Sequence, residues 1–296
     1  RQRQMCIRDS LNAQSVESTQ VRSMTNTSVI PQYNPKGHSF SGWLGGKSQL
    51  ARTIIDLMPE HKTYVEVFGG AGWVLFKKTA SPVEVINDVN DDLINLYRVL
   101  KYHFEAFLDE FENTLFSRTL FNEMKKNDRG LTDIQRAAKF YYLLRAAFGC
   151  QLDGSFSYSR DRKSRLKLGE ELREHLVSIH TRLQNVVIEN ASYDYVLKRV
   201  DGPETLFYLD PPYWDCENAY GKGIWSKQDF YDLKEYLDKI QGKFILSLND
   251  TPEVRALFKD YKIQHKKIRW SVNSKAAHEE HNGNELIITN LSLIHI

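Results

Sequence analysis

The sequence is poor in several features that would place it quickly. Its 296 residues include three cysteines, Cys6, Cys150 and Cys216, an odd number and far apart. They make neither a disulfide framework nor a Cys-x-x-Cys metal site, which points to a reducing, cytoplasmic setting. No run approaches the ~20 apolar residues that a membrane-spanning helix needs, and the opening residues lack the apolar stretch of a secretion signal. Net charge is almost absent, since 40 basic residues face 38 acidic ones. A general polyanion binder is therefore excluded, and any nucleic-acid contact has to come from a local basic patch. No internal repeat is seen, and the composition excludes a collagen-like fibre and a long coiled coil. What is there is ordinary globular composition, 41% hydrophobic and 26% charged, in a chain long enough for about two domains or one large domain with an insertion.

Residues 1–34 read as a disordered tail, because Ser, Thr, Gln and Asn dominate and no aromatic occurs before Tyr33. The first ten residues and residues 292–296 look foreign to what they flank and are set aside as non-native. Structure is expected from about Lys36. A helical spacing over Ser48 to Leu57 precedes a short strand, Thr63 to Phe68, which runs into Gly69-Gly-Ala-Gly72 and a second helix. Val83 to Ile86 forms the next strand, followed by a helix carrying Leu93, Leu96, Tyr97 and Leu100. Strand, glycine turn, helix, strand, helix is the opening of a doubly wound α/β sheet. Residues 103–146 and 169–184 read as helical. Strands return at Val186 to Ile188, Thr205 to Leu209, Lys243 to Leu248 and Glu285 to Thr289, with a helix over Phe230 to Ile240. The simplest organisation is an α/β domain, residues 35–114 and 186–291, split by a mostly helical insertion at 115–185.

Two places carry chemistry. Glu66-Val-Phe-Gly-Gly-Ala-Gly72 puts glycines directly after a strand, where the backbone approaches a ligand closely. Asp88 closes the following strand and is placed to accept hydrogen bonds from ribose hydroxyls. The third glycine of a pyrophosphate loop is missing, so adenosine without phosphates, as in S-adenosylmethionine (AdoMet), fits better than a dinucleotide; a plain tight turn is the alternative. Leu209-Asp-Pro-Pro-Tyr-Trp214 lies at the C-terminal end of an apolar strand, where open α/β sheets bind ligands. The Asp210 carboxylate and a proline carbonyl can each accept a hydrogen from an exocyclic amine, and Tyr213 offers a ring to stack on an extruded base.

Three other patterns fall short. Trp43-Leu-Gly-Gly-Lys-Ser48 is out of register for a phosphate-binding P-loop and has no strand before it, leaving Trp43 and Lys47 as an aromatic wall and a cation beside a cofactor pocket. His278-Glu-Glu-His281 has the wrong spacing for a zinc helix, and no metal is expected. Asp91 and Asp92 read as first-turn residues of a helix rather than cation ligands.

Taken together these segments resemble the Dam-type DNA adenine methyltransferases. Trp43-x-Gly-Gly-Lys47, Glu66-x-Phe68-x-Gly70-x-Gly72, Asn87-Asp-Val-Asn90 and Asp210-Pro-Pro-Tyr213 are similar to motifs of that family and stand in its order, over roughly 36–291. The resemblance implies a Rossmann-like AdoMet-dependent catalytic sheet with an inserted target-recognition domain. It implies cofactor contacts at Trp43, Lys47, Glu66, Phe68, Gly70, Gly72, Asp88 and Asp210, and a catalytic group made of Asp210, Pro211, Pro212 and Tyr213. Many members have Asp-Phe or Asp-Tyr where Ser192-Tyr193 stands, and these two residues are assigned to the cofactor's adenine. The implied reaction is methyl transfer from AdoMet to the N6 amino group of a flipped adenine in double-stranded DNA, by a monomer. N4-cytosine methylation and a non-catalytic nucleic-acid-binding module are the alternatives.

The insertion supplies a DNA-facing candidate. Arg160, Arg162, Lys163, Arg165 and Lys167 fall within eight residues, opposed only by Asp161 and preceded by Phe156 and Tyr158. Such a loop suits phosphates and base edges.

Overall fold

A computed structural model describes residues 27–127, 129–158, 160, 165–217, 221, 223–269 and 282–291. Among them, β1 (Thr63–Glu66), β2 (Val83–Asn87), β3 (Val186–Glu189), β4 (Thr205–Leu209), β5 (Lys243–Asn249), β6 (Lys262–Arg269) and β7 (Asn282–Thr289) join in one sheet of order β3-β2-β1-β4-β5-β7-β6. The first five in that order are parallel, and β7 runs antiparallel to both β5 and β6. The chain winds outward from β1 in one direction and from β4 in the other. β1 pairs with β4 in register from Thr63↔Thr205 to Glu66↔Tyr208, so the glycine turn and Asp210 emerge side by side at the switch point.

Side chains alternate across each strand, and the alternation divides the core in two. Tyr64, Ile86, Tyr208, Ile245 and Ile287 pack with residues of α1 (Ala51–Asp56), α2 (Trp73–Lys77), α3 (Asp91–Tyr102), α4 (Phe104–Asp109), α5 (Arg118–Lys126), α6 (Asp133–Ala146) and α7 (Glu170–Leu183). Val65, Val85, Phe207, Phe244 and Leu286 pack with residues of α8 (Tyr193–Val200), α9 (Lys227–Leu237) and α10 (Pro252–Leu257). The same parity places the buried polar residues Glu66, Ser247 and Glu285 on the first face, behind the segment that carries Lys47.

The α/β architecture is the one expected, with local differences. Residues 103–146 are three helices, not one, because the chain breaks at 110–117 and again before the capping box at Thr132 and Gln135. α8 and α10, of 8 and 6 residues, are too short to show a helical period in sequence. β6 reads Lys-Ile-Gln-His-Lys-Lys-Ile-Arg and lies at the sheet edge, where charge blocks further pairing and hides the strand pattern. Asn90 caps α3 by accepting from the Leu93 N–H, with Asp91 and Asp92 in its first turn. Within 115–185, α6 and α7 contribute Ala137, Tyr141, Leu176 and Ile179 to the same apolar cluster as α3. Among the described residues no helix is long and apolar enough to cross a membrane.

Candidate active site

Two left-handed glycines make the turn after β1. Gly70 has φ +47°, and a Cβ there would sit 3.0 Å from the Trp43 ring; Gly72 has φ +63°, and a Cβ would meet Phe76 and the Tyr97 hydroxyl within 2.9 Å. Only glycine fits both the backbone angle and the space. The turn is fixed from outside as well. Gly70 N–H donates to Asp88 Oδ2 at 2.9 Å, Tyr97 Oη donates to the Gly70 carbonyl at 2.8 Å, and Asn90 N–H donates to Asp88 Oδ1 at 2.9 Å. The Asn87 side chain donates to the carbonyls of Val67 and Ala191 and accepts from Ala191 N–H, tying together the ends of β1, β2 and β3. Asp88 is thus a pivot of the turn as well as an acceptor facing the cavity beside it. Burial, opposed by its backbone hydrogen bonds, holds its carboxyl above the ordinary value.

That cavity has a volume of about 680 Å³. Trp43, Lys47, Glu66, Phe68, Gly70 and Gly72 line it from the β1 side, and Asp88, Ser192 and Tyr193 from the β2 and β3 side. Asp210 and Pro212 close it toward β4. Pro211 is buried just outside the wall. Glu66 is less available than the sequence suggested: its Oε2 accepts from Tyr64 Oη and from Leu75 N–H, both at 2.9 Å, and burial pushes its carboxyl up to about 8. Ser192 donates to Asp194 Oδ1 at 2.6 Å, and Tyr193 opens α8. Phe68 stacks on Tyr193 at 5.9 Å between centroids, and Trp225 meets both rings, at 5.5 and 5.2 Å. Trp225 is buried, lines the cavity, and among the described residues has no hydrogen-bond partner for its indole N–H. Sequence reasoning missed it, since it lies 157 residues from Phe68 and reads only as the residue before the Ser226–Asp229 capping box.

At the β4 end of the cavity the ammonium of Lys47 sits 2.6 Å from Asp210 Oδ1 and 3.4 Å from Glu285 Oε1, and donates to the Gly45 carbonyl. It also stands 4.8 Å over the Tyr213 ring. Ser247 Oγ donates to Asp210 Oδ1 at 3.0 Å, and Tyr213 Oη donates to Glu285 Oε1 at 2.5 Å. Asn249 grips the backbone of Trp214 through both N–H and C=O, fixing the loop after the two prolines. Burial raises the carboxyls of Asp210 and Glu285, with Lys47 opposing in both cases. Burial works against the Lys47 charge, but the surrounding carboxylates outweigh it, and its pKa lies well above the ordinary value. Lys47 therefore lines the cavity, as the sequence reading expected, and also pairs with the carboxylate of Asp210. Glu285 and Ser247 were not foreseen; both sit inside apolar strand patterns, and only the sheet register turns them toward Asp210.

The chain matches the D12 class N6 adenine-specific DNA methyltransferase family over residues 43–272. It belongs to this family. It is 29% identical over 274 residues to the Type II methyltransferase M1.LlaDCHI of Lactococcus lactis subsp. cremoris, covering 85% of this chain and 94% of that protein. It is 26% identical over 286 residues to the Type II methyltransferase M.MjaIII of Methanocaldococcus jannaschii, covering 85% and 98%. The DNA adenine methylase of Salmonella typhi is 27% identical over 256 residues, covering 81% and 90%.

In this adenine-specific DNA methyltransferase the described basic residues Arg160, Arg165 and Lys167 are not part of the cavity wall. Arg162 and Lys163 lie outside the described residues, as do His278 and His281. Arg160 is exposed. Arg165 points an N–H at Cys150 Sγ, 3.5 Å away, and its carbonyl accepts from Arg145; Lys167 is half-buried. Phe156 packs between Phe116 and Phe121, whereas Tyr158 is 72% exposed. Arg118, at the start of α5, lies over both rings, 5.1 Å from Phe156 and 5.9 Å from Tyr158. Sequence reasoning missed Arg118 because it lies 38 residues before Phe156 in the chain. Only the packing of α5 on the loop brings its guanidinium over the two rings.

Proposed function

We propose that this methyltransferase uses AdoMet as its methyl donor and acts on an adenine rotated out of double-stranded DNA. The observation that carries the reading is that one cavity joins the glycine turn and Asp88 to Asp210 and Pro212. The residues present suit AdoMet. The unpartnered Trp225 N–H offers a donor to a nucleoside inside a cage of Phe68 and Tyr193, and the glycine turn lines the cavity with backbone rather than side chains. The cluster of Lys47, Asp210 and Glu285 counts one cation against two carboxylates, so a positively charged ligand would balance it. Bound there, AdoMet supplies an electrophilic methyl group on a sulfonium.

The protein's own part is positioning and electrostatics. Asp88 would accept from the ribose hydroxyls, with Trp43 and Gly70 beside the methionine portion and Ser192 and Tyr193 beside the adenine. The target amino nitrogen is a weak nucleophile because its lone pair is shared with the ring. Asp210 and the Pro211 carbonyl accept its two hydrogens and draw it toward tetrahedral geometry, freeing that lone pair. Pro212 holds the carbonyl direction, and Tyr213 stacks on the base. Asp210, whose carboxyl burial already favours protonation, takes the proton the nitrogen sheds. Target recognition falls to the 115–185 segment, with Arg160, Arg162, Lys163, Arg165 and Lys167 on the DNA side.

The test is to incubate the purified protein, AdoMet and a chelator with bacterial DNA lacking adenine methylation, and to read the product base by base. N6-methyladenine at one short recurring sequence is expected. Methyl groups on cytosine, or no transfer from AdoMet, would refute the reading.

A further inference from the structure

Glu285 has features that neither the fold nor the cofactor pocket explains. It lies on β7, opposite Asn249 of β5, fully buried behind Lys47 and Tyr213. Its Oε1 is shared by the Tyr213 hydroxyl and, more distantly, by the Lys47 ammonium. Its Oε2 touches neither solvent nor any hydrogen-bond partner among the described residues. A carboxylate oxygen left bare inside a protein is costly, and an isostere without charge would avoid the cost.

We infer that Glu285 is a positioning residue for methyl transfer: it provides a second seat for the Lys47 ammonium, which moves there from Asp210 when the target adenine enters. The inference rests on the reading of Asp210 as the acceptor of the adenine amino group.

Three points of geometry and chemistry lead to it. Lys47 sits 2.6 Å from Asp210 Oδ1 and so draws off the negative charge that has to activate the amine. The amino nitrogen gains positive charge as the methyl group arrives, and an ammonium on the same carboxylate opposes that charge. Lys47 also stands over one face of Tyr213, which is the ring proposed to receive the base. An ammonium stripped of carboxylates would be too costly to keep in a buried site. Glu285 removes that obstacle. The ammonium already lies 3.4 Å from Oε1, which Tyr213 holds, and the bare Oε2 of the same carboxylate is the vacant acceptor. The hydroxyl of Tyr213, held on the other oxygen, keeps the ring in place while the lysine moves.

The experiment first maps the target site as above and then uses a duplex carrying it. In single turnover, Glu285→Gln, which keeps an acceptor for Tyr213 but loses the charge that draws Lys47, should slow methyl transfer at least about tenfold, while affinity for S-adenosylhomocysteine stays within about threefold. In a Lys47→Met background, adding Glu285→Gln should change the rate by less than about twofold, because Glu285 acts through Lys47. A rate within threefold of wild type for Glu285→Gln, or fully independent effects of the two substitutions, overturns the inference. A second measurement needs no variant. In a crystal structure of the wild-type protein with S-adenosylhomocysteine and the target duplex, Lys47 Nζ should lie within about 3.2 Å of the Glu285 carboxylate and beyond hydrogen-bond distance of Asp210. Lys47 still on Asp210 with the adenine in place overturns it equally. Failure of the wild-type protein to methylate adenine from AdoMet would instead remove the proposed function, so the two failures are distinguishable.

Discussion

The sheet carries a buried lysine–carboxylate cluster at each end, and the two are built differently. At the N-terminal ends of β1 and β2, Lys78 donates to Glu84, to Ser81 Oγ and to the Thr79 carbonyl, over the ring of Tyr64. Glu84 also accepts from Ser81 N–H and from two N–H groups of Arg182, so both of its oxygens are occupied. Two cations serve one carboxylate there. At the C-terminal ends, Lys47 serves two carboxylates, and Glu285 Oε2 has no partner among the described residues. In the lower cluster both carboxylate oxygens and the lysine are paired within the protein, with Arg182 Nε left without a partner among the described residues, and the cluster works as structure. The upper one is short of a cation and of a donor, the condition expected of a site that a ligand completes.

Breaking each cluster should therefore register in different measurements. Asp210→Ala should lower single-turnover methyl transfer by about 10²–10³-fold or more, as the loss of a group acting on developing charge does, while most DNA binding remains. A variant keeping a tenth of the wild-type rate would demote Asp210 to a turn residue. Lys78→Met leaves Glu84 with Arg182 and the Ser81 N–H and removes a donor from Ser81 Oγ. It should cost about 1.5–3 kcal/mol of stability in denaturant titration, with the transfer rate per folded molecule unchanged. A loss of rate without a loss of stability would reverse the roles given to the two ends.

The comparison also marks how far the sequence could be read. The glycine turn, Asp88 and Asp210-Pro-Pro-Tyr213 were legible because each is a contiguous pattern at the end of an apolar strand. Arg118, Trp225 and Glu285 were not, since each takes its meaning from a neighbour distant in the chain. Glu285 stands in Glu-Leu-Ile-Ile-Thr, which reads as plain strand; only its pairing with Asn249 brings it to the Asp210–Tyr213 loop. Lys47 was read as a pocket residue, and it lines the cavity; nothing local shows that its side chain also reaches Asp210. β6 stayed hidden because an edge strand can carry charge on both faces.

Proton linkage separates the two ends with a smaller effect. His61 belongs to the lower cluster: its Nδ1–H donates to the Pro59 carbonyl, and its Nε2 accepts from Ser81 Oγ, which Lys78 already contacts. That arrangement suits the neutral ring, and burial lowers its pKa to about 4 from 6.5. The unfolded chain then binds more protons between these values, so this contribution is complete above 6.5 and is lost as pH falls toward 4. By pH 5 the loss amounts to at most about 2 kcal/mol. Glu66, beside the upper cluster, acts with opposite sign. Burial raises its pKa to about 8, so its contribution favours the folded state in acid and is lost as pH rises from 4.5 to 8. The two partly cancel in the wild-type protein. His61→Gln should therefore flatten the acid fall in stability, and Glu66→Gln should steepen it, in unfolding free energies measured from pH 5 to 7.5. Parallel curves for both variants would remove these two groups from the balance.

The smallest effect tests whether the upper end is completed by a ligand. Trp225→Phe keeps an aromatic ring against Phe68 and Tyr193 and removes only the N–H that has no partner among the described residues. If a bound nucleoside takes that N–H, the variant should bind S-adenosylhomocysteine about fivefold more weakly by calorimetry, about 1 kcal/mol for one neutral hydrogen bond. Stability without ligand should hold or rise slightly, because a buried donor without an acceptor has been removed. Trp225→Ala should lose more affinity than Trp225→Phe, since it also opens the cage. The opposite pattern, in which Trp225→Phe lowers stability and leaves affinity unchanged, would show that the indole N–H is satisfied within the protein and that the upper cavity is more nearly complete, and more like the lower cluster, than its geometry indicates.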